Sequence, residues 1–444
     1  MIRKGLNEAA FAVITKIIFH DHKYQLNTGF GSCLFAVYPL NMYNYIALFI
    51  PLMLLIVGIE WYVSVRKGNG RYNTANTVNN MAIGAIDQVS SLFYVAFMYL
   101  VMEFSYRHFR LFELKADWSQ WVLGFLAIEF LSYWYHRWSH RVNILWAGHV
   151  THHSSELYNF SVGFRGSLFQ GINRIVFWAF LPVFGFSPVI LLVLFKLGAI
   201  WCFIVHTTYI PKLGFLEKIL ITPSMHRVHH GKNELYIDKN YGSTLVIFDK
   251  LFGTYQEETE PVVYGIKGDY ADNNPVNAVF HHYRHIFRNL KNTQGLVNKF
   301  KVLFMPPDWV PPGTDLHRAE SVSLTQINAA VFYKYAFLQV VCCVPGFVAF
   351  LFFNPVLTPA VFWLIALSLV LSMIGAGRIL KQNLNVGFGQ REMLRQVIGL
   401  GTAAYLIVLT GNSYLWILLV YYLLSIQVLL QAMAEAKSAI TSES

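Results

Sequence analysis

Histidines form the pattern with the clearest chemical potential in this sequence. Eight of its 16 histidines fall in three clusters, one HxxxH pair and two HxxHH motifs. Residues three and four positions apart lie on one face of an α-helix, so each cluster can direct two or three imidazoles at one point. One tetrahedral zinc takes only four ligands, so eight imidazoles predict two metal ions, and imidazole suits iron, zinc and copper alike. The clustered residues are His136, His140, His149, His152, His153, His226, His229 and His230.

Other residues near these clusters are candidates for supporting roles. His206 precedes the third cluster at the end of an apolar run and is predicted to be a ninth ligand. Carboxylates often orient ligating histidines, which makes Glu129, Glu156 and Asp249 the catalytic candidates. Glu129 stands inside an apolar run, where an ionised side chain is expensive and therefore indicates function. A further HxxxH pair at 281–285 has no partner cluster, and we expect it to be dispensable.

The composition indicates a membrane protein. Of the 444 residues, 55% are hydrophobic and 13% are charged, whereas soluble proteins carry about 25% charged residues. This excludes an ordinary soluble enzyme. The net charge of +10 is then explained by cytosolic loops and anionic lipid headgroups, so no nucleic-acid partner is predicted. Four cysteines do not make a disulfide framework.

The apolar runs predict an all-α fold, a polytopic bundle of transmembrane helices. Runs near the 20 residues that cross a bilayer occupy 45–65, 83–104, 121–138, 330–353, 359–376, 397–409 and 414–433. A shorter pair, 175–186 and 189–205, predicts a hairpin that enters the membrane and returns. Four segments follow: an interfacial segment 1–44, membrane helices with the first clusters at 45–206, a cytosolic segment with the third cluster at 207–329, and C-terminal membrane helices at 330–444.

Loop charges predict the orientation of the bundle. Positive residues in short loops mark the cytosolic side, and Arg66, Lys67 and Arg71 follow the first span. A second basic loop at 378–395 joins two C-terminal spans, and with both loops in the cytosol the histidine clusters also face the cytosol. The basic residues at 107–115 fall on the opposite side and argue against this topology.

The histidine motifs also carry a family resemblance. The sequence resembles the fatty acid hydroxylase/sterol desaturase superfamily and, within it, the alkylglycerol monooxygenases. The matching motifs are WYHRWSH at 134–140, NILWAG at 143–148, HVTHHSSE at 149–156, HT at 206–207, PSMHRVHH at 223–230, DKNYG at 238–242, FDKLFGT at 248–254 and VVYG at 262–265.

The resemblance implies a di-iron centre that activates O2, with the eight clustered histidines and His206 as ligands. It further implies a lipid substrate, an ether lipid that is hydroxylated beside the ether oxygen and so cleaved to an aldehyde and a glycerol derivative, and tetrahydrobiopterin as electron donor. The membrane would be the endoplasmic reticulum of a eukaryote or the inner membrane of a bacterium. Arg141 departs from the pattern, since a Glu is expected after the second histidine of the first cluster. We therefore take Arg141 as a candidate cofactor-binding residue.

Two alternatives remain open at the level of sequence. A sterol or fatty-acid hydroxylase or desaturase would use the same ligands and differ in its substrate pocket. A metal transporter would place its histidines near the middle of the membrane on interrupted helices. The clusters here fall at the end of a span and in polar connecting segments, which favours the oxygenase.

Overall fold

The computed structural model describes residues 40–115, 117–267, 274–310, 329–353, 359–380, 387–411 and 413–443. Within these ranges the chain forms helices and two isolated β-bridges, which confirms the all-α prediction. Most of the predicted interfacial segment 1–44, and His20, His22 and His317, lie outside the described residues. The helices are α1 Leu40–Lys67, α2 Thr74–Phe109, α3 Trp118–Arg141, α4 Asn143–His153, α5 Leu168–Trp178, α6 Pro188–Ile204, α7 Pro223–His229, α8 Ile247–Leu251, α9 Pro275–Asn292, α10 Leu296–Phe304, α11 Tyr333–Phe353, α12 Pro359–Leu380, α13 Phe388–Thr410 and α14 Trp416–Glu443.

Five described helices are long and apolar enough to cross a membrane. These stretches are Phe49–Lys67, Thr74–Phe109, Trp363–Leu380, Phe388–Leu409 and Trp416–Ser438. They confirm a multi-pass membrane protein. The predicted span at 330–353 corresponds to helix α11, which is not among the five. The predicted span at 121–138 is a helix, α3, and it is not among the five either. The reason is its composition, because α3 carries Glu129 and two of the clustered histidines among its apolar residues.

The predicted hairpin at 175–205 consists of two short helices that pack mainly on different neighbours. Helix α5 has 11 residues and α6 has 17, so α5 is about 16 Å long and cannot cross a core of about 30 Å. Helix α5 packs mainly on α2 and α6 mainly on α3, and each also contacts the other of these two helices. The four helices enclose one hydrophobic core that includes Met98, Ile128, Trp178 and Leu191.

The C-terminal helices attach to this core through α2. Helix α12 packs along α2, with Val78 and Ala82 of α2 meeting Tyr335 and Met373 of α11 and α12. The two halves of the chain therefore share one interior in the described residues.

Helices α9 and α10 cover the outer side of α4. Ala147 of α4 packs with Ile286 of α9 and Val302 of α10. Their opposite faces leave large apolar side chains uncovered, including Phe287 and Leu296. The predicted polar segment at 207–329 thus contains a surface with the character of a membrane interface.

The basic loop after α1 lies beside the segment that follows α6. The Arg71 guanidinium stacks 4.3 Å from the centre of the Tyr209 ring, and the Thr207 hydroxyl donates to the buried carboxylate of Glu60. Because Thr207 follows His206, this basic loop and the histidines lie on the same side of the bundle. That this side faces the cytosol remains a prediction.

Candidate metal centre

Helices α3 and α4 bring the first two histidine clusters together by an abrupt reversal of the chain. Helix α3 ends at Arg141, and Val142 is extended (φ −122°, ψ 117°) before α4 begins. The new helix is anchored at once, because Asn143 donates from its backbone to the carbonyl of Met305 and from its side chain to that of Val302. Helix α4 therefore packs back against α3.

Helix α7 delivers the third cluster from a different part of the chain. Its first turn is set by Pro223, with the side chain of Thr222 accepting a hydrogen bond from the backbone of Met225. The loop that follows includes Asp238 and Asn240, two non-glycine residues with positive φ, at +60° and +52°. This backbone turns the carbonyls of Lys239 and Tyr241 toward the histidines.

The nine predicted histidines gather into two groups. Within each group, one ring nitrogen from every member lies within 4.8 Å of those of the others, close enough to share a metal ion. The first group is His136, His140, His149, His153 and His229, and the second is His152, His206, His226 and His230. The structure thus joins all three clusters and His206, and it divides them between two candidate metal sites.

Each HxxHH motif is divided between the two groups. His149 and His153, four residues apart, point to the first group, whereas His152 points to the second. In the third cluster His226 and His230 point to the second group and His229 to the first. Consecutive helical residues are about 100° apart around the axis. Two histidines four residues apart therefore point in nearly the same direction, and the histidine next to the second one points elsewhere. Each of these motifs therefore directs two imidazoles at one group, as its spacing allows, and the third imidazole at the other group.

The hydrogen bonds of the rings leave lone pairs directed into the groups. The Nδ1 atoms of His136, His206 and His229 lie 2.8, 2.5 and 2.9 Å from the carbonyl oxygens of Tyr241, Cys202 and Lys239. A ring nitrogen facing a carbonyl must donate, so Nε2 of each neutral ring carries a lone pair. Nε2 of His229 is buried and has no hydrogen-bond partner in the described part of the chain. Converging lone pairs without donors fit a bound cation.

The protonation state of the histidines also fits a metal. Burial lowers the pKa of His206 to about 3 and that of His229 to about 4. Burial likewise lowers the pKa of His149 and His226 well below the ordinary histidine value. These imidazoles are therefore neutral near pH 7, which is the form that binds metal ions.

Both groups open onto one cavity of about 320 Å³. His136 and His149 of the first group and His152 and His226 of the second contribute to its wall. Most of the remaining wall is apolar and comes from α1, α2, α3, α5 and α6, with contributions from α11 and α12. A long apolar molecule in this cavity would lie against both groups.

Comparison with known sequences connects this site to a family. The sequence model of the fatty acid hydroxylase family matches residues 121–254, a range that contains all nine histidines. Human alkylglycerol monooxygenase is 40% identical over 276 residues, covering 62% of this chain and 61% of the human protein. The zebrafish (Danio rerio) alkylglycerol monooxygenase is 30% identical over 363 residues, covering 79% of each chain.

The chain belongs to the alkylglycerol monooxygenase family. This confirms the resemblance carried by the histidine motifs. An ornithine lipid hydroxylase of Rhizobium tropici is 34% identical over 150 residues, covering 32% of this chain and 43% of that protein. No solved structure matches the chain.

Two of the predicted carboxylates support the backbone around the first histidine group of this family member. Asp249 accepts hydrogen bonds from the backbone N–H groups of Tyr241 and Gly242, at 2.7 and 2.8 Å. Glu129 accepts from those of Thr244 and Leu245, both at 2.8 Å. Since the Tyr241 carbonyl orients His136, these carboxylates position a ligand through the loop. The orienting role predicted for Glu129 and Asp249 would thus be exerted through the backbone of the loop and not by direct contact with a histidine.

The two other supporting candidates lie nearer the surface. Glu156 is exposed, so the geometry does not support the catalytic role predicted for it. Arg141 donates to Asp238 at 2.5 Å, and the other carboxylate oxygen of Asp238 lies 3.8 Å from Nδ1 of His140. Asp238 therefore stands between Arg141 and the histidine group, a position that its place in the sequence did not suggest.

The extra histidines on α9 are outside both groups. His282 lies 2.6 Å from the Asn143 side-chain oxygen, a contact that joins α9 to α4. His281 contacts the carbonyl of Ala278 within its own helix. In the described residues this pair lies outside both histidine groups, as the absence of a partner cluster led us to expect. That it is dispensable stays a prediction.

Buried charges that were missed from the sequence hold the ligands in place. Arg165 is 1% exposed and donates to the Thr151 carbonyl and to the side chains of Asn80 and Ser154, which fixes the end of α4. Glu60 accepts from the Phe160 backbone as well as from Thr207. The signal for Glu60 was present, since it is a carboxylate in an apolar run, like Glu129.

Proposed function

We propose that this protein is a di-iron monooxygenase that cleaves the ether bond of an alkylglycerol lipid. The observation that carries the proposal is that two groups of neutral histidines open onto one apolar cavity. The first group of five and the second of four would each hold one iron. Iron, when bound, supplies the activation of O2, a reaction that side chains alone do not perform.

The reaction follows from the chemistry of an ether. One oxygen atom of O2 enters the C–H bond beside the ether oxygen, and the other leaves as water after two electrons and two protons are supplied. The resulting hemiacetal breaks its C–O bond to give a fatty aldehyde, and the glycerol oxygen takes a proton. The family membership supports this substrate, because the human and zebrafish relatives are named alkylglycerol monooxygenases.

The side chains of this protein position the substrate and exclude water. The apolar wall of the cavity would hold the alkyl chain, and His136 and His149 on one side and His152 and His226 on the other would border the carbon that reacts. Removing water from such a site strengthens its electrostatic interactions and protects reactive species. The buried network of Arg165 keeps α4 and its ligands rigid as the lipid enters.

The electron donor in this proposal is tetrahydrobiopterin, with Arg141 near its path to the first group. The site faces the cytosol, of a eukaryotic cell at the endoplasmic reticulum or of a bacterium at the inner membrane. The position of the basic loop beside the histidines supports this orientation, since basic loops are retained on the cytosolic side.

The decisive experiment measures metal and product in the same preparation. The purified protein should contain about two irons per chain, and with O2 and tetrahydrobiopterin it should release a fatty aldehyde from an alkylglycerol. Ala at His149 or His226 should abolish the aldehyde and reduce the bound iron, because each removes a ligand from one group. Ala at His281, a half-buried histidine outside both groups, is the matched control and should retain both.

The alternative within the family is a sterol or fatty-acid hydroxylase or desaturase. If the protein oxidises a sterol or a fatty acid in an iron-dependent reaction and releases no aldehyde from the ether lipid, the proposed ether substrate is wrong and the proposed metal centre is retained. A full complement of exchangeable zinc with no oxidation of any of these lipids would overturn the oxygenase itself.

A further inference from the structure

The apolar cavity contains three ionisable side chains that the proposed oxidation does not use. Asp87 of α2, Arg174 of α5 and Lys196 of α6 all line it. They come from three helices that enclose the same space, and Asp87 is far from the other two residues in the sequence. Ionisable groups are expensive inside a membrane protein, so their convergence indicates a binding function.

The three side chains form one interacting group. Asp87 lies within electrostatic range of both Arg174 and Lys196, and Tyr94 is also near its carboxylate. The loop before α5 makes room for them, because a Cβ at Gly166 would collide with the Asp87 carboxylate. Nε of Arg174 is buried and has no hydrogen-bond partner in the described residues. The cluster therefore has a donor that points at no protein acceptor.

The charge of the cavity is positive even without metal. Asp87 neutralises one of the two cations of the cluster, which leaves one positive charge. The two other Asp, Glu, Lys or Arg residues in the wall are Glu129 and Arg165, which cancel in charge and are each bound to polar groups of the protein. Bound metal ions would add to the excess. An unpaired cation in an apolar space calls for an anionic partner.

The cluster lies next to the histidine groups. Gln170, one helical turn before Arg174 on α5, has its side-chain nitrogen 2.9 Å from Nδ1 of His149. Arg174 interacts electrostatically with His136 and lies 5.4 Å from the ring centre of Tyr135, the residue before it. A lipid whose reactive carbon is at the histidines would thus place a polar group, a few bonds away, at Arg174.

We propose that Arg174 and Lys196, held in place by Asp87, bind the phosphate of an ether lipid headgroup. A guanidinium presents a fork of donors that matches phosphate oxygens, and a lysine adds a second charge. This inference rests on the proposed function and adds to it the class of headgroup, a phosphate-bearing alkylglycerol. Arg174 and Lys196 are then specificity-determining residues, and Asp87 is a positioning residue.

The test compares the binding of two lipids that differ only in the phosphate. Alkylglycerol phosphate and alkylglycerol with the same alkyl chain are titrated against the purified full chain in a neutral detergent, and bound lipid is measured by native mass spectrometry. The wild type should bind the phosphate lipid at least about tenfold more tightly. Arg174→Gln and Lys196→Met should remove most of this preference and leave alkylglycerol affinity within about twofold. Arg107→Gln removes an exposed cation at the end of α2 and should change neither affinity.

Three results would overturn the proposal. Equal affinity of the wild type for the two lipids would remove the headgroup site. An equal loss of affinity for both lipids in Lys196→Met would assign that residue to packing. Asp87→Asn, which removes the charge that holds the two cations in place, should weaken the phosphate preference. Competition by inorganic phosphate at the concentration of the lipid would indicate a general anion site. Because binding is measured without turnover, a wild type that prefers the phosphate lipid and releases no aldehyde would refute only the proposed function.

Discussion

The Asp249 carboxylate offers a sharp test of how the backbone orients the first histidine group. Its two oxygens accept from the N–H groups of Tyr241 and Gly242, and one also accepts from the Thr254 hydroxyl at 2.7 Å. Asp249→Asn preserves the shape of the side chain but replaces one acceptor by an NH2 group. We expect the position of the Tyr241 carbonyl to be less firmly fixed. The orientation of His136, which contacts this carbonyl, should then be less firmly fixed as well.

The size of the effect follows from these contacts. One backbone N–H would lose a charged acceptor and face a donor in a buried site, which costs about 1–3 kcal/mol. If most of this free energy reaches the histidine group, metal affinity falls about tenfold or more, since 1.4 kcal/mol corresponds to a factor of ten. Groups that orient metal ligands in this way typically change metal affinity by about 10–100-fold.

Competition with a soluble iron chelator measures this change directly. The concentration of chelator that removes half of the iron should fall about tenfold for Asp249→Asn. Glu257→Gln, which alters a carboxylate that is 58% exposed, should have the same midpoint as the wild type. An Asp249→Asn protein that is normally folded and keeps the wild-type midpoint would refute the link from Asp249 through Tyr241 to His136.

Three further predictions concern the cofactor, the orientation and the pH dependence. Arg141→Glu, at a side chain that is 58% exposed, should change the turnover with tetrahydrobiopterin relative to another reductant and leave the iron content unchanged; an unchanged ratio would remove Arg141 from the cofactor site. A single cysteine at Glu257, in a background without other cysteines, should react with a membrane-impermeant thiol reagent only from the cytosolic face, and labelling from the other face would contradict the loop-charge argument. In the metal-free protein the pKa of His206 is about 3 and that of His229 about 4, below the ordinary value of about 6.5. As the pH falls below about 6.5 the unfolded chain binds protons that the folded chain excludes, so the apparent Tm should be lower at about pH 5 than at about pH 7; an equal Tm would show that these rings protonate freely.

The histidine spacing was sufficient to predict eight of the residues that gather at the centre, and the place of His206 at the end of an apolar run indicated the ninth. Their division into two groups was not predicted. Helical periodicity places His149 and His153 on one face from local geometry alone. That His152 joins His206 and His226 instead depends on how α4, α6 and α7 pack, and single-sequence periodicity contains no information on that packing. The two groups therefore became visible only in the fold.

The membrane helices also show what sequence analysis can and cannot predict. Five of the seven apolar runs coincide with described helices that are long and apolar enough to cross a membrane, because hydropathy reports the solvent of a whole helix. Hydropathy averaged over a helix does not reveal single charged residues. Asp87, Lys196 and Glu60 were therefore not identified inside their apolar runs, although charged residues in such runs indicate function for them as they do for Glu129. Arg165 falls in a polar connector, where its sequence context resembles that of any surface arginine, and only its burial distinguishes it.

The division of the HxxHH motifs has a consequence for how the centre assembles. Helices α4 and α7 each contribute histidines to both groups, so neither candidate metal site is built on helices of its own. Metal binding at one site restricts the motion of two helices that also form the other site. The loss of conformational entropy therefore accompanies only the first binding event. The second ion should then bind more tightly than the first, and iron uptake should be cooperative: a titration would pass from empty to doubly filled protein with little singly filled protein between them. Loss of one ligand would, by the same coupling, weaken the site to which that ligand does not belong.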